Sequence, residues 1–537
     1  VRETNYLFHR IVLYLNPQSP LSFKKFVYCV VTGGCRNLKQ KYILSIDAGT
    51  SVVKTVIFNH ASSEVVSFSR ELSQESPHQG WYEQSPEDIW KKVYSSMANA
   101  LIVSGISPKQ IAGIGITNQR ETTIIWNKRT GKPIYNAIMW RSRQTNEITD
   151  SWNLSNYKDL VKNSTGLVLD SYFSASKIRW ILDHVPHAQQ QAENGELLFG
   201  TVETWLLWKL TNGHAHVTDY TNASRTMFFN IRTLDWDEEL LKALNIPIQL
   251  MPEVRSNSEI FGYTIGSAFF NCSVPIAGMI GDQQSSLVGQ LAFHRGAISA
   301  TYGTGAFITV NTGENMVHSE NNLLTTVSFG LDKKIYYGLE GNIFVAGTAV
   351  TWLQDSLEMI KDPLHSAAVA SQSTNDNLYV VTSFNGMGAP YWDEKVQGAV
   401  FGMTDKTTKA DFVRATLQSI AYRSKDVILA MQEDMQAELQ TVYTDGSMAK
   451  NDFLMQFEAD ILGVDVNRSE TTDIKALGVA FLAGLAVGFW EDLTEIKKLR
   501  HPITKFQPVY TAKKRERLYR RWQRAVLASQ IFSKENE

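Results

Sequence analysis

The chain has 537 residues, of which 43% are hydrophobic and 20% charged. This length exceeds what one ordinary hydrophobic core supports, so we expect two large domains or several smaller ones, with a cleft between domains. The 52 basic and 54 acidic residues leave a net charge of −2, which excludes a global field for capturing nucleic acid or an anionic membrane and favours a small neutral or phosphorylated ligand.

The first 40 residues differ from the rest of the chain, because short apolar pieces alternate with proline and glycine and no clean signal peptide emerges. A targeting segment is one interpretation, since acidic residues are scarce there, and a disordered or non-native extension is the favoured one. Cys29, Cys35 and Cys272 form neither a paired framework nor a CxxC spacing, which argues against disulfides and structural zinc and fits a reducing compartment.

Residues 42–58 are predicted to form a tight β-hairpin, because an apolar run turns at Gly49 and returns as a β-branched run. Hydroxyls, backbone donors, a carboxylate and a positive charge surround this turn and suit the phosphate tail and magnesium of a nucleotide. The residues concerned are Asp47, Thr50, Ser51 and Lys54. An ordinary glycine-containing hairpin is the alternative that this stretch leaves open.

A helix is predicted after Ser85, since Pro86 and two acids follow this capping residue and apolar residues then recur every four positions. Two apolar strands follow, at residues 111–117 and 122–126, on either side of the polar corner 118–121. Burying so polar a corner is costly, which indicates that it has a function.

The middle of the chain repeats the first hairpin. An apolar strand at residues 274–280 leads through Gly281 and Asp282 into a predicted helix. Residues 300–307 then place a second glycine-rich turn between apolar strands. Two phosphate-type hairpins predict a duplicated architecture with a site between the halves.

The second half continues the strand, turn and helix rhythm. A strand and turn at residues 442–447 lead into a predicted helix at 448–462, and a strand around 464–467 follows. Such turns bring helix N-termini to a nucleotide, and an ordinary connection is the alternative.

Residues 476–490 are too short for a bilayer span of roughly 20 residues and contain three glycines, so we expect a buried helix with closely packed small residues and no stable membrane insertion.

The tail from Lys513 is predicted to be a basic helix with Leu518, Trp522 and Val526 on one side. A solvated face over a packed apolar stripe is favoured over attachment to nucleic acid or a membrane.

No P-loop, no GxGxxG after a strand, no GxSxG and no HExxH motif occurs in the sequence. A nucleotide would therefore bind through paired hairpins, as in the actin-like ATPases.

The chain resembles the FGGY carbohydrate kinases and, within them, the glycerol kinases. Residues 172–184 and 398–418 match the two family signatures. Shorter motifs typical of glycerol kinases are TNQRETT (117–123), DYTNASR (219–225), GDQQ (281–284), TYGTG (301–305) and GAPYW (388–392). The resemblance covers residues 41–528.

This resemblance implies an α/β fold of two actin-like (ribonuclease H-like) domains flanking a central catalytic cleft, with domains at residues 41–290 and 291–537. It implies ATP-dependent phosphorylation of glycerol to sn-glycerol 3-phosphate in the cytoplasm, with ATP and Mg²⁺ and without nucleic acid. A homodimer and a homotetramer are both left open.

The resemblance also implies the site residues. Glycerol contacts are assigned to Arg120, Glu121, Tyr172, Asp282, Gln283, Trp140 and Phe307. Nucleotide contacts are assigned to Thr50, Ser51, Lys54, Thr304, Gly347, Gly446, Ser447 and Asn451. Magnesium is assigned to Asp47 and Asp282, partly through water, and Asp282 is also assigned as the general base. The alternatives are a surface ion pair for Arg120 and Glu121 and a helix cap for Asp282.

Several positions depart from the family pattern. Lys54 stands where arginine is common, Ser447 where a second glycine is usual and Thr351 where bacterial members have glutamine, so we expect shifted ATP affinity. Residues 267–273 lack the glycine-rich loop and arginine of the enzymes that fructose bisphosphate inhibits, so we expect this regulation to be missing. A kinase for another polyol or ketose and a catalytically silent binding protein are the competing hypotheses.

Overall fold

The computed structural model describes residues 40–534 apart from residues 156, 385, 439, 472 and 500. The predicted N-terminal extension, with Cys29 and Cys35, therefore lies outside the described residues except for Gln40. Cys272 is a free cysteine.

A six-stranded sheet forms from the first half of the chain. Its strands are β1 Tyr42–Ala48, β2 Val52–Phe58, β3 Glu64–Glu71, β4 Ile111–Asn118, β5 Ser258–Tyr263 and β6 Pro275–Gly281. Their order across the sheet is β5-β6-β4-β1-β2-β3. The strands β1, β2 and β3 are antiparallel neighbours, whereas β4 is parallel to both β1 and β6. The predicted hairpin at 42–58 and the strands at 111–117 and 274–280 are confirmed.

A seven-stranded sheet forms from the second half. Its strands are β7 Ile298–Tyr302, β8 Ala306–Gly313, β9 Leu324–Leu331, β10 Lys334–Ile343, β11 Thr441–Asp445, β12 Asp465–Ser469 and β13 Ile503–Phe506. Their order is β9-β10-β8-β7-β11-β12-β13. The strand predicted around 464–467 is thus β12.

The two sheets share one plan. In each, a central strand (β1 or β7) pairs with an antiparallel neighbour across the glycine turn, and two parallel strands follow on its other side. The next strand beyond the hairpin (β3 or β10) is antiparallel in both sheets. This correspondence confirms the predicted duplication. We call residues 42–289 the first lobe and residues 298–534 the second lobe.

Helices pack on the two main sheets, and short strand pairs form separate two-stranded sheets. The helices are α1 Pro86–Ser104, α2 Asn146–Leu154, α3 Tyr157–Thr165, α4 Ser174–His184, α5 Ala188–Glu193, α6 Val202–Leu210, α7 Tyr220–Ala223, α8 Glu238–Ala243, α9 Asp282–Gly289, α10 Gly347–Asp355, α11 Ser366–Ala370, α12 Lys409–Met435, α13 Asp452–Leu462, α14 Ile474–Ala486, α15 Leu493–Lys498 and α16 Ala512–Lys534. The short pairs are Glu83–Gln84 with Ala137–Ile138, Ile124–Asn127 with Leu197–Gly200, Val217–Asp219 with Glu253–Arg255, Phe229–Asn230 with Asp235–Trp236, and Tyr379–Val381 with Ala399–Phe401.

Helix α1 begins where the sequence predicts. Ser85 accepts a hydrogen bond from the backbone N–H of Asp88 at 3.3 Å, as an N-cap residue does. The residues spaced by four along the helix, from Ile89 to Leu101, are buried against the first sheet. The strand predicted at 122–126 is shorter than expected and pairs outside the main sheet, with Leu197–Gly200.

Helix α14 connects the lobes. It follows strand β12 of the second sheet in the chain, yet it packs on β1, β4 and β6 of the first sheet. It also crosses α9, which leads from the first sheet toward the second. A Cβ at Gly478 would lie 1.9 Å from the carbonyl oxygen of Ser285, so only glycine permits this approach. The predicted buried helix of small residues is therefore confirmed.

The tail helix α16 packs as predicted, with Leu518, Trp522 and Val526 buried in the core of the second lobe. Its Tyr519 hydroxyl donates to Asp426 Oδ1 at 2.6 Å and its Trp522 Nε1 donates to Asp426 Oδ2 at 3.1 Å. Across residues 40–534, excluding the five undescribed positions, no helix combines the length and apolar character that a membrane crossing requires.

Candidate active site

The polar corner after β4 lies in the interior. Arg120 is 3% exposed and Glu121 is 1% exposed, so the alternative of a surface ion pair is wrong. Glu121 has a φ of 60°, in the left-handed region that residues other than glycine rarely occupy. Its carboxylate accepts a hydrogen bond from Arg225 Nε at 2.7 Å. Strained backbone held by buried ion pairs is typical of binding and catalytic sites.

Three aromatic side chains surround this corner. The ring centroid of Trp140 lies 5.8 Å from that of Tyr172 and 6.0 Å from that of Phe307, with edge-to-face geometry in both pairs. The guanidinium of Arg120 lies 6.0 Å from the Phe307 ring. Trp140 and Tyr172 belong to the first lobe and Phe307 to the second, so the walls of the predicted polyol pocket come from both lobes.

The pocket adjoins the first hairpin. Trp140 Nε1 donates a hydrogen bond to Thr50 Oγ1 at 3.0 Å. The neighbouring Ser51 hydroxyl accepts a hydrogen bond from Gln74 Nε2, also at 3.0 Å. The predicted polyol residues and the predicted phosphate turn are therefore in direct contact.

Asp282 is the first residue of α9, at the end of β6. The residue at the cap position is Gly281, so the alternative role of Asp282 as a helix cap is wrong. Asp282 Oδ2 accepts hydrogen bonds from Lys475 Nζ at 2.8 Å and from Gln283 Nε2 at 3.0 Å. Its Oδ1 lies 3.5 Å from Arg120 Nε.

The two cations keep Asp282 ionised. Burial raises the pKa of its carboxyl. The Lys475 ammonium and the Arg120 guanidinium lower this pKa by more than burial raises it, so the resulting pKa lies below the ordinary value. An ionised carboxylate at neutral pH is what a proton acceptor requires.

Asp47 is the penultimate residue of β1, and its carboxyl interacts electrostatically with the Asp282 carboxylate. Burial raises the pKa of Asp47 to about 6, while Lys475 opposes the rise and the charge of Asp282 adds to it. Its Oδ1 is buried and has no hydrogen-bond partner among the described residues. An orphaned carboxylate oxygen of this kind fits a cation.

The two carboxylates fit a magnesium ion that takes most of its ligands from phosphate and water. Within the described residues no cluster of three or more His, Cys, Asp and Glu side chains could hold a metal ion. Mg²⁺ in kinase sites takes one or two carboxylates, with phosphate oxygens and water completing its six ligands. Asp47 and Asp282 are sufficient for that arrangement.

The second hairpin meets the residues that were assigned to the nucleotide. The carbonyl oxygen of Thr304 accepts the backbone N–H groups of Ala346 at 3.0 Å and Thr348 at 3.1 Å, at the start of α10. A Cβ at Gly347 would lie 2.6 Å from the Gly303 carbonyl oxygen. A Cβ at Gly446, whose φ is 94°, would lie 2.3 Å from the Tyr302 carbonyl oxygen. Both glycines therefore permit close approach to this hairpin.

Two other assigned residues have structural partners, and a third is exposed. Lys54 forms an ion pair with Asp473 just before α14. Asn451 caps α13 by accepting the N–H of Leu454 at 3.0 Å and donates to Ser366 Oγ at 2.9 Å. Ser447 is exposed and precedes a single 3₁₀ turn at Met448–Lys450, where the sequence predicted α-helix.

Charged residues that sequence reasoning missed complete the site. Glu340 on β10 accepts hydrogen bonds from both Arg120 and Arg225, and Lys475 neutralises Asp282. One signal for Glu340 was present, because it is a lone acid in the apolar end of a strand, where a charge is costly without a partner. No sequence signal pointed to Lys475, because it lies at the start of a helix, where many residue types occur.

Comparisons with known proteins identify the family and the relatives of this chain. The FGGY family of carbohydrate kinases matches through its N-terminal domain at residues 42–289 and its C-terminal domain at residues 298–487. A glycerol kinase from Streptococcus uberis is 55% identical over 498 residues, which cover 93% of this chain and 100% of the relative. A glycerol kinase from Enterococcus faecalis is 53% identical over 500 residues, covering 93% and 100%.

Solved structures match over the same length. The glycerol kinase of Plasmodium falciparum with ADP superposes with a TM-score of 0.85 at 35% identity, covering 91% of this chain and 98% of that chain. A xylulose kinase from Lactobacillus acidophilus superposes with a TM-score of 0.82 at 21% identity, covering 93% and 100%, and this likeness shows the fold alone. The expected α/β fold of two actin-like domains is confirmed by these matches. The chain belongs to the FGGY family of carbohydrate kinases.

Proposed function

We propose that this chain is a glycerol kinase that transfers the terminal phosphoryl group of ATP to glycerol, giving sn-glycerol 3-phosphate. The observation that carries the proposal is the contact between Trp140 and Thr50, which joins the aromatic residues beside a buried cluster of acids and arginines to a phosphate-type turn. Relatives more than 50% identical over nearly the whole chain are named glycerol kinase.

The pocket suits a triol. Each hydroxyl group both donates and accepts a hydrogen bond, so Arg120 as donor beside Glu121 and Asp282 as acceptors pairs with several hydroxyls at once. Tyr172 and Gln283 add groups that donate and accept. Trp140 and Phe307 cover the carbon chain of the polyol, which would otherwise stay in contact with water.

Asp282 is proposed as the general base. It accepts the proton of the terminal hydroxyl while the oxygen of that hydroxyl bonds to the γ-phosphorus and the bond from phosphorus to the β-phosphate oxygen breaks, releasing ADP. Its ionised state, maintained by Lys475 and Arg120, supports this role. Most of the remaining barrier is lowered by positioning and by neutralising phosphate charge.

Mg²⁺ would be held by Asp47 and Asp282, and when bound it neutralises charge on the transferred phosphate. The nucleotide would lie between the two hairpins, with Thr50, Ser51 and Lys54 on one side and Thr304, Gly347 and Gly446 on the other. Ser447 and Asn451 complete the proposed nucleotide contacts. A cytoplasmic location and a homodimer or homotetramer remain part of the proposal.

A panel of polyols and ketoses, incubated with ATP and Mg²⁺ and followed by coupled detection of ADP, tests the function. We expect glycerol to be phosphorylated with the highest kcat/KM. Analogues that lack one hydroxyl should be rejected by about 10⁴-fold, because a site built around hydroxyls leaves its own polar groups unpaired with them. Turnover of a pentulose without turnover of glycerol would favour another polyol kinase, and no turnover of any substrate would favour a silent binding protein.

A further inference from the structure

We propose that Glu340 is a positioning residue through which the second lobe fixes the two polyol-binding residues Arg120 and Glu121, so that the polyol site is complete only when the lobes are in contact. The inference rests on the proposed function, and it assigns a role to a residue outside the proposed substrate contacts.

Glu340 lies at the centre of a buried set of charges. It is 0% exposed, on β10, opposite Thr309 of β8 in the second sheet. Its Oε2 accepts from Arg120 Nη1 at 2.5 Å and its Oε1 accepts from Arg120 Nη2 at 3.0 Å. This bidentate geometry fixes the plane of the guanidinium, which a single contact would leave free to rotate.

The same carboxylate also orients Glu121 through Arg225. Arg225 Nη2 donates to Glu340 Oε1 at 3.0 Å, and Arg225 Nε donates to Glu121 Oε1 at 2.7 Å. Arg225 is itself 0% exposed. The sequence of contacts from Glu121 through Arg225 and Glu340 to Arg120 alternates in sign and carries no net charge.

The contacts of Glu340 cross between the lobes. Arg120, Glu121 and Arg225 belong to the first lobe, whereas Glu340 comes from the second sheet. Burial raises the pKa of Glu340, but Arg120 and Arg225 lower it below the ordinary value, so this acid stays charged. When the lobes separate, Arg120 and Arg225 lose their shared acceptor, while Arg120 keeps its contacts with Asp282 and Gln284 of the first lobe.

Loss of the Glu340 charge should therefore change the position of the Arg120 guanidinium. The guanidinium has an acidic neighbour at 3.5 Å, the Asp282 carboxylate, and it should move toward it once Glu340 no longer holds it. Arg120 would then leave the polyol hydroxyls while the nucleotide residues of the second hairpin keep their contacts. The effect should appear in glycerol binding far more than in ATP binding.

The test compares steady-state kinetics of wild-type protein and Glu340→Gln, an isosteric change that removes the charge. We expect the KM for glycerol to rise by about 30-fold or more, with the KM for ATP within about 3-fold of wild type. Glu340→Asp keeps the charge but shortens the side chain, so it should restore part of the glycerol affinity. A glycerol KM within 3-fold of wild type in Glu340→Gln would overturn the proposal.

Glu458→Gln is the matched control. Glu458 is also buried in the second lobe, where it accepts a hydrogen bond from the Tyr302 hydroxyl at 2.8 Å. Burial raises its pKa to about 8, so it is uncharged at neutral pH and glutamine resembles it closely. We expect an unchanged glycerol KM for Glu458→Gln. An increase equal to that of Glu340→Gln would show that any change to a buried acid of the second lobe weakens glycerol binding, and it would contradict the proposal.

Two further outcomes keep the test decisive. If Glu340→Gln does not fold, Glu340→Asp carries the comparison: a glycerol KM raised with an unchanged ATP KM supports the role, and equal changes in both contradict it. If wild-type protein does not phosphorylate glycerol, the proposed function fails, and the same ratio of variant to wild type is measured with the polyol that it does phosphorylate.

Discussion

At the scale of single residues, the site works by placing each charge against an opposite one. The Asp282 carboxylate lies between Lys475 Nζ at 2.8 Å and Arg120 Nε at 3.5 Å. Without these cations, burial would raise the pKa of the carboxyl and favour the protonated form, which cannot take a proton from an alcohol.

Asp282→Asn should therefore abolish most of the turnover without preventing binding. Asparagine keeps the size and the hydrogen-bonding oxygen of the side chain but accepts no proton, so we expect kcat to fall by about 10²-fold or more. Titration calorimetry should still detect glycerol and ATP binding.

Asp235→Asn is a suitable control, because Asp235 is an exposed residue of a short hairpin and should tolerate the same chemical change. A kcat for Asp282→Asn equal to that of wild type would remove Asp282 from the mechanism.

At the scale of elements, the crossing of α9 and α14 determines how the two lobes meet. Both helices contribute a glycine to the crossing: a Cβ at Gly478 would lie 1.9 Å from the Ser285 carbonyl oxygen, and one at Gly289 would lie 2.3 Å from that of Ile474. Asp282 begins α9 and Lys475 is the second residue of α14. Close packing of these helices thus holds the ammonium against the carboxylate.

Gly478→Ala should separate the two helices. The added methyl group meets backbone on the other helix, which cannot rotate away as a flexible side chain can, so we expect a loss of about 3 kcal/mol and a clearly lower melting midpoint. Differential scanning fluorimetry measures the midpoint.

The control for this stability change is Gly303→Ala. A Cβ at Gly303 would meet its nearest atom at 3.8 Å, an ordinary contact, so the melting midpoint should change little. A midpoint for Gly478→Ala equal to that of Gly303→Ala would contradict the role of the glycine crossing.

At the scale of the whole molecule, two lobes of one plan supply different parts of the site. The first lobe provides Arg120, Glu121 and Tyr172, and the second provides Phe307 and the hairpin that meets α10. The walls and the charge pairs of the pocket cross from one lobe to the other. Substrates bound between the lobes would favour the arrangement in which both sets of contacts are made.

We expect glycerol together with a non-hydrolysable ATP analogue to close the lobes. Small-angle X-ray scattering should then show a smaller radius of gyration than for the free protein, because closure removes water from the cleft. Glycerol without any nucleotide serves as the reference, because it shows how much closure the polyol produces alone. Identical profiles with and without both ligands would argue against closure.

Much of the fold was predictable because local patterns determine it. The turn at Gly49, the cap at Ser85 and the small residues from Gly478 onward each indicate an element from its own sequence, and the structure has those elements. The duplication of the two hairpins was visible as well. Deviations are local: the strand after the polar corner pairs outside the main sheet, and residues Met448–Lys450 form a 3₁₀ turn.

The sequence by itself determined the family, the two-lobe architecture and the residue types of a polyol and phosphate site, because these follow from short-range motifs and their order. Only the tertiary structure decided the partners of the buried charges. Glu340 lies 220 residues from Arg120 in the chain, and Lys475 lies 193 residues from Asp282. Whether a buried charge is balanced depends on which strands and helices meet, and that contact appears only once both lobes are folded.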